Sequence, residues 1–335
     1  MTEQSDVTQY IESQEETWPM LRAQPRSFFK SPLCSDLETL DADVAFIGVP
    51  FDQGTFGRPG ARFGPDAIRD APRAYSYAGN YGQQSEAEGF FDIDAGDELL
   101  RGVTMADCGN ITIVPSEVIE NFNKLTQAVE KVVERGSFPV VVGGDHAITF
   151  PVVRGLSRFG PLDIIHIDAH MDYTHDTQGV LFTHGSPIRR CRELPFVGHI
   201  TSLGIRAARR KPYEESQRDG SLIVTTKRFR QLGPEGIDKL VPKGQNLYIS
   251  FDIDVMDPSQ APGTGTPETG GLFYQEMKDC LVTLLKERNL VGFDMVEVAP
   301  PYDSSQVTVQ VAAQLIIDIL AARFPSRALP TEPLT

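Results

Sequence analysis

The chain has 335 residues, of which 40% are hydrophobic and 23% charged, and its formal net charge at pH 7 is −15. This composition predicts a globular protein with a large core. The negative charge argues against nucleic-acid binding, which needs clustered lysine and arginine. The longest apolar stretches are too short and too polar to span a bilayer, and residues 1–20 lack a signal-peptide pattern. Four cysteines without CxxC spacing favour reduced thiols, so we expect a cytoplasmic protein with no membrane partner.

The order of predicted elements indicates one α/β domain. Residues 1–40 are polar and predict an N-terminal arm, residues 41–325 a single domain and residues 326–335 a C-terminal tail. Ser116 is a candidate N-cap for a helix that ends at Gly136, because the apolar residues between them keep to one face. Further elements are strands at 43–50, 138–142, 162–167, 246–251 and 290–298, and helices near 65, 275–288 and 306–323. This alternation predicts a three-layer α/β/α fold with a mainly parallel central sheet.

Histidine and aspartate are concentrated in three short strings, each placed after a strand-like apolar run. These strings contain Asp145 and His146; then Asp168, His170 and Asp172; then Asp252 and Asp254. A spacing of two puts side chains on one face at a strand end. Imidazole and carboxylate bind borderline and hard divalent ions. Each string alone is more typical of a capped turn, but three together predict a two-metal hydrolytic centre in a crevice at the sheet edge.

Longer motifs resemble the ureohydrolase family, which includes arginase and agmatinase, over roughly residues 43–323. The matching strings are Gly143-Gly-Asp-His146, Asp168-Ala-His-Met-Asp172, Thr183-His184-Gly-Ser, Ser250-Phe-Asp-Ile-Asp254, Pro262-Gly-Thr-Gly-Thr-Pro267 and Asp294-Met-Val-Glu297. The resemblance implies an arginase-like fold. It also implies hydrolysis of a guanidino compound to urea and an amine, with a small cationic guanidino substrate.

The same resemblance implies a role for each matching residue. One metal is bound by His146 and Asp172, the other by His170 and Asp254, and Asp168 and Asp252 bridge the two. His184 matches the proton-shuttling histidine, and Glu297 matches the acid that binds the planar guanidinium through both oxygens. Asp254 is also expected to stabilise the tetrahedral intermediate and to protonate the leaving nitrogen. The expected cofactors are two divalent ions per chain, with manganese as the family default and nickel as the alternative.

The remaining polar candidates have simpler expected roles. His166 lies in an apolar strand and is predicted to be a core histidine with satisfied hydrogen bonds. For His175, substrate contact and simple solvation both stay open, and His199 is expected to be structural. Asp145 is expected to hydrogen-bond His146 or nearby backbone, and Asp257, before a proline, to form a turn.

The substrate is less well defined by these motifs. Residues 179–183 replace the Ser-Gly-Asn type of string with which arginases hold an α-carboxylate, so an agmatinase-like activity is favoured over arginase. Met171 and Tyr173 flank Asp172 and suggest a short, dry pocket, which favours guanidine, N-alkylated guanidines or a biguanide such as metformin as alternatives. Guanidinobutyrase, a single-zinc deacetylase and an inactive subunit are less favoured. The resemblance also implies trimers or hexamers, and a mixed hexamer with a homologous subunit stays open.

Overall fold

A computed structural model describes residues 26–71, 89–244 and 246–327. Its centre is an eight-stranded sheet in which every neighbouring pair is parallel, in the order β4-β1-β5-β10-β9-β6-β7-β8. The strands of this sheet are β1 (Val44–Val49), β4 (Met105–Asn110), β5 (Phe138–Gly143), β6 (Leu162–Ile167), β7 (Val197–Ile205), β8 (Leu222–Thr225), β9 (Asn246–Asp252) and β10 (Asn289–Val296). A separate antiparallel pair is formed by β2 (Phe90–Asp92) and β3 (Asp97–Leu99). The predicted fold class is confirmed.

Eight α-helices are present among the described residues. They are α1 (Gly64–Asp70), α2 (Val118–Glu134), α3 (Thr149–Gly155), α4 (Pro187–Arg192), α5 (Arg210–Arg218), α6 (Thr226–Leu240), α7 (Tyr274–Leu285) and α8 (Val307–Arg323). The prediction that Ser116 caps α2 is wrong. The N-cap is Glu117, and Ser116 has a φ of 65°, a left-handed conformation that an N-cap residue does not adopt.

The core lies on both faces of the sheet, which is why the central strands are buried along nearly their whole length and show no alternation of buried and exposed residues. Every residue of β5 and β6 is buried. Two clusters of buried side chains cover the two faces. Within the predicted arm, Phe28 is buried and stacks on Phe46 at a centroid distance of 5.2 Å. Residues 1–25 of the same predicted arm lie outside the described residues.

The four central strands β5, β10, β9 and β6 are adjacent and parallel, so their carboxyl ends meet at one edge of the sheet. All three histidine and aspartate strings, together with Glu297, lie at these strand ends or directly after them. An edge of this kind is where open α/β sheets bind ligands. None of the described helices combines the length and apolar character needed to cross a membrane. The four cysteines are free thiols.

Candidate metal centre

The first candidate metal position is built around His146. Its Nδ1 atom lies 2.9 Å from Asp172 Oδ2, 3.1 Å from Asp252 Oδ2 and 3.2 Å from Asp168 Oδ2. The imidazole is fully buried, and Nδ1 makes no hydrogen bond of acceptable geometry. Buried polar atoms in proteins almost always have hydrogen-bond partners. A buried imidazole nitrogen that has none and that faces three carboxylates is therefore suited to binding a divalent cation.

The second candidate position shares Asp168 with the first. Nδ1 of His170 lies 2.9 Å from Asp254 Oδ2 and 3.5 Å from Asp168 Oδ1, so Asp168 presents one oxygen to each position. Ligand atoms of the first group lie within 4.8 Å of one another, as do those of Asp168, His170 and Asp254. The six residues predicted as ligands are therefore brought together. Asp252 belongs only to the first group, so its bridging role stays a prediction.

The electrostatics of this cluster are those of a site that needs positive charge. Burial lowers the pKa of His146, but its three neighbouring carboxylates outweigh this effect and raise that pKa well above its usual value. Burial, together with Asp254 and Asp168, raises the pKa of Asp252 well above the ordinary carboxyl range. Buried carboxylates this close repel one another unless protons or cations intervene. The donor set fits two divalent ions of the manganese to nickel range.

A buried network supports the His146 ring from the side opposite Nδ1. Nε2 of His146 lies 2.9 Å from Ser250 Oγ, which lies 3.1 Å from the carboxylate of Asp294. Asp294 also accepts hydrogen bonds from Tyr248 Oη at 2.5 Å and Thr149 Oγ1 at 2.7 Å. With Nε2 donating to Ser250, Nδ1 is the ring nitrogen that faces the carboxylates and would bind a metal. Ser250 and Asp294 lay inside the quoted motifs, but only their contacts indicate this role.

His166 is the buried histidine that the sequence predicts to have satisfied hydrogen bonds, and it does. Nδ1 lies 3.0 Å from Ser202 Oγ, and Nε2 lies 2.7 Å from Asp168 Oδ2. The ring therefore also orients the carboxylate shared by the two metal positions. Such contacts behind a ligand are typical of metal sites, where they fix the ligand's orientation.

His184 and Glu297 lie together beside the cluster, as the resemblance implies. His184 Nδ1 is 3.1 Å from Glu297 Oε1, and its Nε2 accepts a hydrogen bond from the Phe56 backbone N–H at 3.1 Å. Burial lowers the pKa of His184, but Glu297 outweighs it and the pKa rises to about 9. Glu297 Oε1 also accepts from the His146 N–H at 3.0 Å. Glu297 Oε1 thus already accepts from two donors. Bidentate binding of a guanidinium by Glu297 therefore stays a prediction.

Two residues of the site have strained backbones. Asp172 has a φ of 44° and Glu297 a φ of 62°, values that residues other than glycine adopt at a cost of about 1–3 kcal/mol. Strand β6 ends at Ile167, so the alternation of an extended strand does not continue through Asp172. Met171 is buried and lines the cavity, whereas Tyr173 is fully buried, is not a lining residue and donates to Asp219 Oδ2 at 2.6 Å. The prediction that Tyr173 narrows the pocket is wrong.

A cavity of about 480 Å³ opens above the cluster. Its lining includes the acids Asp172, Asp252 and Glu297, and it also includes three residues for which the sequence predicted no role: Phe56, Arg209 and Thr266. Thr266 Oγ1 donates to Asp254 Oδ2 at 3.1 Å, and the Phe56 ring lies 5.4 Å from that of His184. Thr266 lies in the quoted Pro262–Pro267 string, which was the available signal. The sequence contained no signal that pointed to Arg209.

The other predicted residues lie outside the cavity lining. His175 is exposed and pairs with Asp176 at 2.9 Å, and His199 is an exposed residue of β7. Asp145 accepts hydrogen bonds from the backbone of Gly54 and Ala147, which confirms the backbone alternative predicted for it. Asp257 forms the expected turn by accepting from Ser259 N, and it also accepts from Gly270 and Gly271 of the following loop.

Comparisons with known proteins agree with this geometry. The arginase family matches residues 42–322. The human mitochondrial guanidino acid hydrolase is 35% identical over 304 residues, covering 88% of this chain and 82% of that protein, and the agmatinase of Bacillus subtilis (strain 168) is 32% identical, covering 86% and 94%. The solved proclavaminate amidino hydrolase of Streptomyces clavuligerus is similar, with a TM-score of 0.77, 31% identity and coverage of 90% and 97%. The chain belongs to the arginase family.

Proposed function

We propose that six residues of this chain hold two divalent metal ions and that three side chains at the same site carry the hydrolysis of a guanidino compound. The enzyme is a hydrolase of C–N bonds in linear amidines, releasing urea and an amine. The ligands are His146, Asp168, His170, Asp172, Asp252 and Asp254. The observation that carries the proposal is the pair of ligand groups that share Asp168, one of them containing the unpartnered Nδ1 of His146.

The chemistry requires metal because a guanidinium carbon is resonance-stabilised and resists neutral water. When bound, two divalent ions lower the pKa of a shared water from about 15.7 towards neutrality, so that hydroxide is available. The family is a binuclear manganese family, and we propose manganese as the ion. Nickel is the alternative, since histidine and aspartate ligands bind it more tightly in the general affinity order.

The protein's own groups position the substrate and move its protons. Glu297 Oε2, unlike Oε1, has no donor from His146 or His184, and we propose that it accepts a hydrogen bond from the guanidinium. This contact would orient the planar carbon over the cluster. Asp254 would accept a proton from the attacking water and pass it to the leaving nitrogen, because an amine leaves readily only when protonated. His184, held between Glu297 and the Phe56 amide, would exchange the water's other proton with solvent.

The substrate range follows from the relatives and from the cavity. Agmatine and guanidino acids are the substrates named for the two relatives above. The cavity of about 480 Å³ exceeds the volume of guanidine itself, so we propose that a substituted guanidine is the substrate. A single-zinc deacetylase would not need His146, Asp172 or Asp254, and an inactive subunit would not need to keep all six ligands. Their joint placement therefore supports a catalytic two-metal chain.

The test combines metal analysis with product analysis. Metal-free protein is reconstituted with manganese, nickel or zinc and assayed for urea with agmatine, 4-guanidinobutyrate, guanidine, dimethylguanidine and metformin. Two ions per chain and urea from at least one compound are expected. A single ion in fully active protein would overturn the proposal. Sedimentation of the same samples would test the trimer or hexamer that we propose.

A further inference from the structure

We infer that Arg209 is a specificity-determining residue that selects against substrates with a second positive charge. This inference rests on the proposed function and adds the class of substrate to it. The substituent opposite the guanidinium would be neutral or anionic, as in an alkylguanidine or a guanidino acid. An ammonium tail, as in agmatine, would be disfavoured.

The position of Arg209 is set by backbone pairing with the metal-ligand string. After β7 the chain runs beside residues 168–172: the N–H groups of Arg206 and Ala207 both donate to the carbonyl of Ala169, and Ala207 forms a parallel bridge with His170. Arg209 follows two residues later and lines the cavity, as do Ala207 and Ala208. The segment is therefore a wall of the substrate site.

Arg206 and Arg209 use their charges differently. The Arg206 guanidinium donates to the carbonyls of Asp254, Val255 and Glu268, so it braces the loops after β9. The side chain of Arg209 is exposed and makes no ion pair or hydrogen bond with any residue in the described parts of the chain. An unpaired cation on a cavity wall acts on whatever the cavity binds.

No acid on the cavity lining offsets this cation near the rim. Among the described lining residues the acids are Asp172, Asp252 and Glu297, whose side chains are 11%, 3% and 2% exposed, so all three belong to the floor. Glu268 lies outside the lining and faces His170 Nε2 at 3.5 Å, and Asp176 pairs with His175. A substrate held by its guanidinium at the acidic floor would thus direct its far end towards Arg209.

The test compares three tails of similar length on one guanidinium: agmatine (ammonium), 4-guanidinobutyrate (carboxylate) and N-butylguanidine (neutral). We expect the wild type to have the lowest kcat/KM for agmatine. Arg209→Glu reverses one charge, and it should raise the ratio of agmatine to 4-guanidinobutyrate kcat/KM by at least about tenfold, or about 1.4 kcal/mol. The value for N-butylguanidine should change much less, and Arg209→Lys should keep the wild-type ratio.

Arg210→Glu is the matched control. Arg210 is the next residue, is 88% exposed and pairs with Glu214 at 3.8 Å, and it is not a lining residue. Arg210→Glu makes the same charge change away from the cavity. The ratio of agmatine to 4-guanidinobutyrate kcat/KM should therefore stay within about twofold of the wild-type value. If Arg209→Glu still releases urea and its ratio is unchanged, the role assigned to Arg209 is overturned and the proposed function stands. No urea from any compound would overturn the proposed function and this inference with it.

Discussion

Replacing Ser250 with alanine tests whether the contacts behind His146 support metal binding. Ser250 is fully buried in β9, and its hydroxyl lies between His146 Nε2 at 2.9 Å and Asp294 Oδ1 at 3.1 Å. In Ser250→Ala the Nε2–H of His146 has no acceptor, and Asp294 keeps its bonds from Tyr248 Oη, Thr149 Oγ1 and the Phe251 N–H. The substitution removes the contacts of this hydroxyl with His146, with Asp294 and with Thr149 Oγ1 at 3.0 Å, and it leaves Asp294 with its three other donors.

The expected size of the effect follows from the buried Nε2–H of His146, which the substitution leaves without an acceptor. A buried donor without a partner costs about 1–3 kcal/mol. Loss of a contact behind a metal ligand lowers metal affinity by about 10–100-fold, or about 1.4–2.7 kcal/mol, which is the same range. The unpaired Nε2–H also destabilises the metal-free protein, because His146 is buried there as well. We therefore expect a lower free energy of unfolding and a weaker metal affinity together.

The measurement is a competition titration of metal-free protein with manganese against a chelator, together with urea denaturation. Ser137→Ala is the matched control, because Ser137 is 5% exposed and its Oγ donates to the Ala42 carbonyl at 2.6 Å, remote from the site. Both variants should lose stability, and only Ser250→Ala should lose metal affinity. Equal metal affinities in Ser250→Ala and wild type would refute the role assigned to this network.

Three further outcomes are expected. Asp168→Ala should abolish binding of both ions and urea release, since Asp168 faces both metal positions; metal analysis that still finds two ions per chain would contradict this. Metal binding should release protons near pH 7, because the pKa of His146 is raised in the metal-free protein and the metal must displace the imidazole proton. The apparent metal affinity should therefore rise with pH, which calorimetry in buffers of different ionisation enthalpy checks. Tyr173→Phe should leave kcat/KM within about twofold and cost about 0.5–1.5 kcal/mol of stability, as its hydroxyl contacts Asp219 outside the cavity; a large change in KM would place Tyr173 at the substrate after all.

Much of the candidate site could be predicted because its signals are local. Asp168, His170 and Asp172, each two residues from the next, follow a fully buried strand, and the same spacing recurs at Asp252 and Asp254, at the end of β9. Patterns of this kind depend on a few consecutive residues and on strand geometry, which a sequence shows directly. The parallel sheet was predictable for the same reason, from helices and buried strands in alternation.

The amino-acid sequence by itself thus determined the residue types of the candidate ligands, their positions at strand ends and the α/β class of this protein. Only the tertiary structure decided which side chains meet. Both Met171 and Tyr173 are buried, but only Met171 lines the cavity. Strand order places Ser250 and Asp294 behind His146, and the pairing of Ala207 with His170 brings Arg209 to the cavity wall. These contacts join residues far apart in the chain, and strand order and register, which local patterns do not encode, bring them together.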